Sequence, residues 1–172
     1  KEKLSMNKNY DNEYSKNHIE IHKAYVELLK NFGLYDIFLV NKDGDVVYSV
    51  SKEKDYGTNL ESGVYSTTGL GKAFAKAKKL SIGEVAFADY EPYEPSYNEP
   101  AMFLASPVIY MGDFEGVVIF QLPKAKINEV MSFGGNYEKA GLGKTGQANL
   151  VCDDGCMKND SRFLLDLDNP EV

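Results

Sequence analysis

The sequence predicts an α+β fold: a long N-terminal helix, a five-stranded antiparallel sheet flanked by helices, and then the opening of a second module. Three observations carry this prediction. Apolar and aromatic residues recur at helical spacing from Tyr14 to Phe32. Five β-rich runs follow, the first two split by an Asp-Gly turn. After Phe133 a glycine-rich stretch leads into another strand pattern. The 172 residues suffice for one well-buried domain, or for one domain and a fragment of a second; 43% hydrophobic and 26% charged residues is an ordinary globular balance.

Taken in order, residues 1–12 are polar and expected to fray. Tyr14, His18, Ile21, Tyr25, Leu28 and Phe32 then follow at steps of four, three, four, three and four, a continuous seam along one helix face, and Gly33 supplies the stop. Such a seam packs on its own domain or pairs with the same helix of a second subunit, and the sequence does not separate the two. Tyr14, His18, Ile21, Tyr25 and Leu28 are the residues expected to carry a homodimer contact.

Asp36–Val40 and Val46–Val50 form the first hairpin around Asn41-Lys-Asp-Gly-Asp45. The acidic turn lacks the twelve-residue ligand spacing of a calcium loop. Lys54–Thr68 reads as a long structured loop, and Leu70–Lys79 as a short amphipathic helix with Ala73, Phe74 and Ala77 inward. Strands are expected at Glu84–Tyr90, Ala101–Tyr110 and Glu115–Leu122. The segment Glu91–Pro100 between the first two holds three prolines, which forbid regular pairing. A short exit helix, Ala125–Phe133, closes the module, and Ala148–Cys152 reads as a strand of the next.

Composition excludes several functions. With 26 acidic against 19 basic residues and a net charge of −7, a nucleic-acid partner is not expected. Lys72, Lys76, Lys78 and Lys79 share one helix and read as a solvated face. No run approaches the roughly 20 apolar residues of a membrane span. Lys1 opens a polar segment with no initiator methionine, so the chain reads as an excised or processed piece, whose neighbours in the longer protein this sequence does not display. Gly143-Lys-Thr145 invites a phosphate-loop reading, but Glu138 occupies the place of the first glycine and a strand, not a helix, follows. Cys152 and Cys156 suit a disulfide-closed loop in an oxidising compartment, with two free thiols as the alternative; a zinc site would need a second pair of ligands. His18 and His22 stand one helical turn apart without a third ligand, so no metal is expected, nor any cofactor. Both histidines lie on the N-terminal helix, away from any serine–acid pair, and an enzyme is not expected.

Beside this reading stands a resemblance. Tyr35-Asp-Ile-Phe-Leu-Val40, Asp43-Gly-Asp45, Val47-Tyr48 and Lys54-Asp-Tyr-Gly-Thr-Asn-Leu60 resemble the periplasmic double-Cache (PAS-like) domains of bacterial chemoreceptors and sensor histidine kinases. So do Asp89–Ser96, Pro100-Ala-Met-Phe-Leu-Ala-Ser-Pro107 and Gly116-Val-Val-Ile-Phe-Gln-Leu-Pro123. Gly141–Val151 with Asn159-Asp-Ser-Arg-Phe163 is similar to the opening of the second, membrane-proximal module. The resemblance implies helix 1–33, a membrane-distal Cache module at 34–133, and the start or remnant of the proximal module at 134–172. It implies a membrane-anchored receptor, this part of it periplasmic, that binds a small molecule and signals to a kinase, cyclase or chemotaxis output. The family's amino-acid sensors grip the ligand carboxylate with an Arg-Trp-Tyr cluster. Here there is no tryptophan, and the one arginine, Arg162, lies outside the distal module, so bidentate carboxylate recognition is missing there.

Within that frame the pocket is expected on the open face of the sheet under the proline loop, lined by Asp89, Tyr90, Tyr93, Ser96, Tyr97, Phe103 and Ser106, with Tyr65 as a lid. Tyrosine suits such a site through its flat ring and polar tip. The competing reading is a protein-interaction or dimerisation module that senses a periplasmic partner.

Overall fold

The computed structural model describes residues 12–151 and 155–167. Internal contacts divide the chain into two units, Lys1–Pro123 and Lys124–Val172.

In the first unit α1 spans Glu13–Phe32. Asn12 caps its start by accepting from the Ser15 amide at 2.8 Å, and Gly33 ends it in the left-handed conformation (φ 64°). Strands β1 (Asp36–Asn41) and β2 (Val46–Ser49) form the expected hairpin. Its turn is built by Asn41, whose Oδ1 accepts from the amides of Asp43 and Asp45 at 3.0 and 2.8 Å. The loop beyond β2 is ordered by backbone bonds to the hairpin, Val46 to Thr58 and Leu60 to Gly44. Helix α2 (Gly69–Ala77), β3 (Ala86–Tyr93), a 3-10 turn (Glu94–Ser96), β4 (Glu99–Tyr110) and β5 (Asp113–Pro123) complete the unit.

The sheet order is β2-β1-β5-β4-β3, all antiparallel. Alternation along the strands gives it two apolar faces. One carries Phe38, Val40, Phe103, Ala105, Val117 and Ile119 beneath Leu70, Ala73, Phe74 and Ala77 of α2. The other carries Ile37, Tyr48 and Val50 against Ile21, Tyr25, Leu28 and Leu29 of α1. The helical seam is thus engaged within the chain. His18 is buried and stacks on His22 with ring centroids 4.6 Å apart, His22 Nδ1 lies 2.8 Å from the Tyr48 hydroxyl, and the Tyr14 hydroxyl donates to the Val47 carbonyl at 3.2 Å.

Two expectations about strands are corrected. Pairing continues through the proline segment: β3 runs to Tyr93, with Glu91 opposite Ala101 and Pro92 opposite Pro100. This is tolerated because β3 is an edge strand and a bulge between Ala88 and Glu91 resets its register. Conversely, 148–151 does not form a strand. Val151 makes an isolated bridge to Met157, and the Asn159 side chain takes the place of a neighbouring strand, accepting from Leu150 N at 2.6 Å and donating to the Ala148 carbonyl at 3.2 Å.

The second unit begins with α3 (Lys124–Met131), continues through a 3-10 turn at Phe133–Gly135, and ends in α4 (Arg162–Leu167). Asp160 ties to Lys124 and accepts from the Asn128 amide at 2.6 Å. Arg162 stacks over Tyr137, 4.0 Å from the ring centroid, and donates to the carbonyls of Gly143 and Gly146 at 3.0 Å each. The glycine-rich stretch therefore turns carbonyls toward a guanidinium. The disulfide expectation involves Cys152, which lies outside the described residues.

Candidate ligand-binding site

The site is built from the register of three strands. Gln121 on β5 stands opposite Asp36 on β1 and Phe103 on β4, so the three side chains form a row on the α2 face, at the end of the sheet where β1 begins. Asp36 is a structural hub. Its Oδ1 accepts from the amides of Ile37, Val50 and Ser51 at 2.7, 2.9 and 3.1 Å, and its Oδ2 from the Ser49 hydroxyl at 2.7 Å. These bonds fasten the end of β2 to the start of β1. Burial raises its carboxyl to about 6 against the pull of those donors.

Two segments close over this row. From the loop after β2 come Glu53 and Asp55; from the end of β3 come Tyr93 and Ser96. The Tyr93 hydroxyl donates to Asp55 Oδ2 at 2.7 Å. The Ser96 hydroxyl donates to Glu53 Oε2 at 3.2 Å, and Tyr35 donates to Glu53 Oε1 at 3.1 Å. Gln121 Nε2 donates to Ser96 Oγ at 2.8 Å. Tyr93 and Phe103 meet edge to face at 5.0 Å, and Tyr65 lies 6.1 Å from Tyr93. At the surface Glu94 receives Lys54 and the Tyr65 hydroxyl, the latter at 3.1 Å.

The arrangement leaves two polar atoms unpartnered. Asp55 Oδ1 and Gln121 Oε1 are buried and have no hydrogen-bond partner, in residues only 1% and 2% exposed. Their roles follow from the network. The Ser96 hydroxyl gives its single hydrogen to Glu53 and accepts from the Gln121 amide. That leaves the Gln121 carbonyl as the end of the amide without a partner. Asp55 likewise spends one oxygen on Tyr93. Burial raises Asp55 to about 6, reinforced by the negative charge of Glu53 and partly offset by the Tyr93 hydroxyl and by the backbone amides of Asp55 and Tyr56. Buried polar groups are nearly always satisfied, so two unpartnered acceptors beneath the same pair of segments mark a place built for something else.

Of the eight expected pocket residues, Tyr65, Tyr93, Ser96 and Phe103 converge here. Asp89 and Tyr90 sit instead at the β3 bulge, where the Tyr90 hydroxyl donates to the Pro123 carbonyl at 3.3 Å. Tyr97 takes a left-handed conformation (φ 60°) and is 76% exposed, because the turn that points Ser96 inward points its neighbour outward. Ser106 belongs to the opposite face, three residues along the strand from Phe103, and its hydroxyl donates to the Glu84 carbonyl at 2.9 Å. There it borders an apolar groove of about 190 Å³ with Val85, Leu104, Val118 and Phe120. Sequence reasoning missed Asp55, Glu53 and Gln121. Gln121 carried a signal, a polar residue at an inward position of an otherwise apolar strand.

No protein-family model matches the chain, and no curated protein matches it in sequence. Solved structures do match in fold. The sensor domain of the Vibrio cholerae histidine kinase DctB is 18% identical with a TM-score of 0.50, over 66% of this chain and 41% of that one. The sensory domain of the Campylobacter jejuni chemoreceptor Tlp3 with isoleucine bound is 11% identical with a TM-score of 0.58, over 99% and 58%. The ligand-binding domain of the Pseudomonas fluorescens chemoreceptor CtaA with L-valine is 16% identical with a TM-score of 0.54, over 81% and 54%. The fold is that of bacterial sensor domains. The α+β architecture expected from the sequence, a long N-terminal helix and a five-stranded antiparallel sheet flanked by helices, is the one found, and the chain spans about half the length of these domains.

Proposed function

We propose that this chain is the extracytoplasmic ligand-sensing part of a bacterial transmembrane receptor, a chemoreceptor or sensor histidine kinase, and that it reads a small molecule at the Asp55–Gln121 cluster. The observation that carries the reading is the pair of buried, open acceptors under two segments that are held down at the surface by exposed pairs to Glu94. Exposed ion pairs contribute little stability, so what joins the two segments is chiefly the Tyr93–Asp55 and Ser96–Glu53 hydrogen bonds, which a ligand at this place would have to replace or share. The solved domains of the same fold include Tlp3 with isoleucine and CtaA with L-valine bound, which supports a small-molecule ligand here. In the modular division expected from the sequence, 34–133 is the distal module and 134–172 the opening of the proximal one. Ligand binding would favour one of two arrangements of the loop and sheet end, and so bias the elements that lead to the membrane.

The test is the melting temperature of the purified chain against a broad panel of amines, organic acids, sugars and nucleosides. A saturable, concentration-dependent rise with at least one compound is the expected outcome; a flat response across the panel contradicts direct sensing. The apolar groove beside Ser106 favours a second reading, a protein-interaction or homodimer module, since Val85 and Phe87 beside it are 62% and 51% exposed. A homodimer through α1 would use its outer face, where Ile19 is 41% exposed, because the seam is packed inward.

A further inference from the structure

We propose that the Asp55–Gln121 cluster recognises the protonated amino group of a small organic amine that carries no carboxylate. The inference deepens the sensing reading and rests on it. It follows from counting donors and acceptors. Every hydroxyl of the cluster is committed to an acid: Tyr93 to Asp55, Ser96 and Tyr35 to Glu53, Ser49 to Asp36. One of the two Gln121 amide hydrogens is committed to Ser96. What remains open is a carboxylate oxygen and an amide carbonyl, both acceptors. An ammonium group offers donors and nothing else, which is the complement of that pair.

Charge points the same way. Asp36, Glu53 and Asp55 bring three carboxylates to the cluster, and its nearest lysines are turned elsewhere. Lys54 pairs with Glu94 at the surface; Lys52 donates to the Ser49 carbonyl and lies 5.1 Å from the centre of the Tyr48 ring, where its charge acts on Asp36 and leaves Glu53 and Asp55 to the ligand. A bound cation relieves the repulsion between Glu53 and Asp55, whereas a ligand carboxylate adds to it. The Tyr65, Tyr93 and Phe103 rings give the carbon end of an amine an aromatic wall and the ammonium a favourable electrostatic surface. The enclosure of both open atoms favours a small ligand.

The experiment is isothermal titration of the whole chain at pH 7.5 with ethylamine, ethanolamine and 1,4-diaminobutane. L-Alanine, acetate, malate and glycerol are titrated alongside. At least one amine is expected to bind saturably, and more tightly than any carboxylate-bearing compound. Asp55→Asn and Gln121→Leu should each weaken that binding about tenfold or more, as expected for loss of a buried charge-assisted contact, with melting curves confirming that both variants fold. Amine binding unchanged in Asp55→Asn would overturn the assignment. Binding of acids or neutral compounds alone, lost in Gln121→Leu, would leave sensing at this cluster standing and remove the ammonium assignment. Silence from every class would overturn both.

Discussion

At the scale of single residues, Asp55 shows how a binding group differs from a structural one. Asp36 and Asp55 are equally buried acids with pKa values raised to about 6, yet Asp36 has four donors and Asp55 has an oxygen with none. A folded pKa above the unfolded value means that the folded state holds more protons between about pH 3.8 and 6. Stability therefore rises as pH falls through that window and is lowest above it. Asp55→Asn keeps the shape and the bond from Tyr93 and removes the buried charge. The unliganded variant is expected to be more stable than the parent by about 1 to 3 kcal/mol at pH 7, with the gap closing toward pH 4. His18 titrates in both proteins, and Asp36 is raised in part by the Asp55 charge, so the difference between the two melting profiles reports Asp55 together with its coupling to Asp36. A gap independent of pH would show that the carboxylate carries no strain. Little of this was legible in advance. Asp55 lies in a loop, where no periodicity tells an inward residue from an outward one. The mixture of Phe103 and Ser106 in one pocket was resolvable, because residues three apart on a strand face opposite sides.

At the scale of elements, the sequence signals worked where periodicity was long and failed where chemistry overrode it. The seam from Tyr14 and the Asp-Gly turn placed α1 and the β1–β2 hairpin within a residue or two of their observed bounds. The proline segment misled because a rule for central strands was applied to an edge strand with a bulge. The seam's destination was open because one apolar stripe serves a sheet face or a second helix equally well; Tyr25 and Leu28 chose the sheet. The seating of α2 depends on close backbone approach at Gly71, where an added Cβ would lie 2.3 Å from the Ser66 carbonyl oxygen and 2.5 Å from that of Tyr65. Gly71→Ala must push the helix away from the loop that carries Tyr65, and a loss on the order of 2 kcal/mol or more is expected from such overpacking. Chemical denaturation of the variant measures it; a change below about 0.5 kcal/mol would mean that the loop yields freely.

At the scale of the molecule, the first unit is a three-layer arrangement, α1 on one face of the sheet and α2 on the other, with the polar cluster at one end of the α2 face. The first unit's fold was legible in outline because alternating strands, turn residues and two amphipathic helices agree with one another. The site was half legible, since its aromatic members stand in a recognisable segment while its acids come from a loop 38 residues earlier in sequence, as the Tyr93–Asp55 bond measures. Acids gathered from distant segments, with two buried acceptors left without partners, are costly to fold, and a ligand that donates to both offsets that cost. The most direct measurement is a crystal structure of the chain grown with the compound that raises its melting temperature most. The account predicts ligand density in contact with Asp55 Oδ1 and the Gln121 carbonyl, beneath Tyr65. Density in the groove of Val85, Leu104 and Phe120 instead, or an ordered water alone joining Asp55 and Gln121, would contradict it.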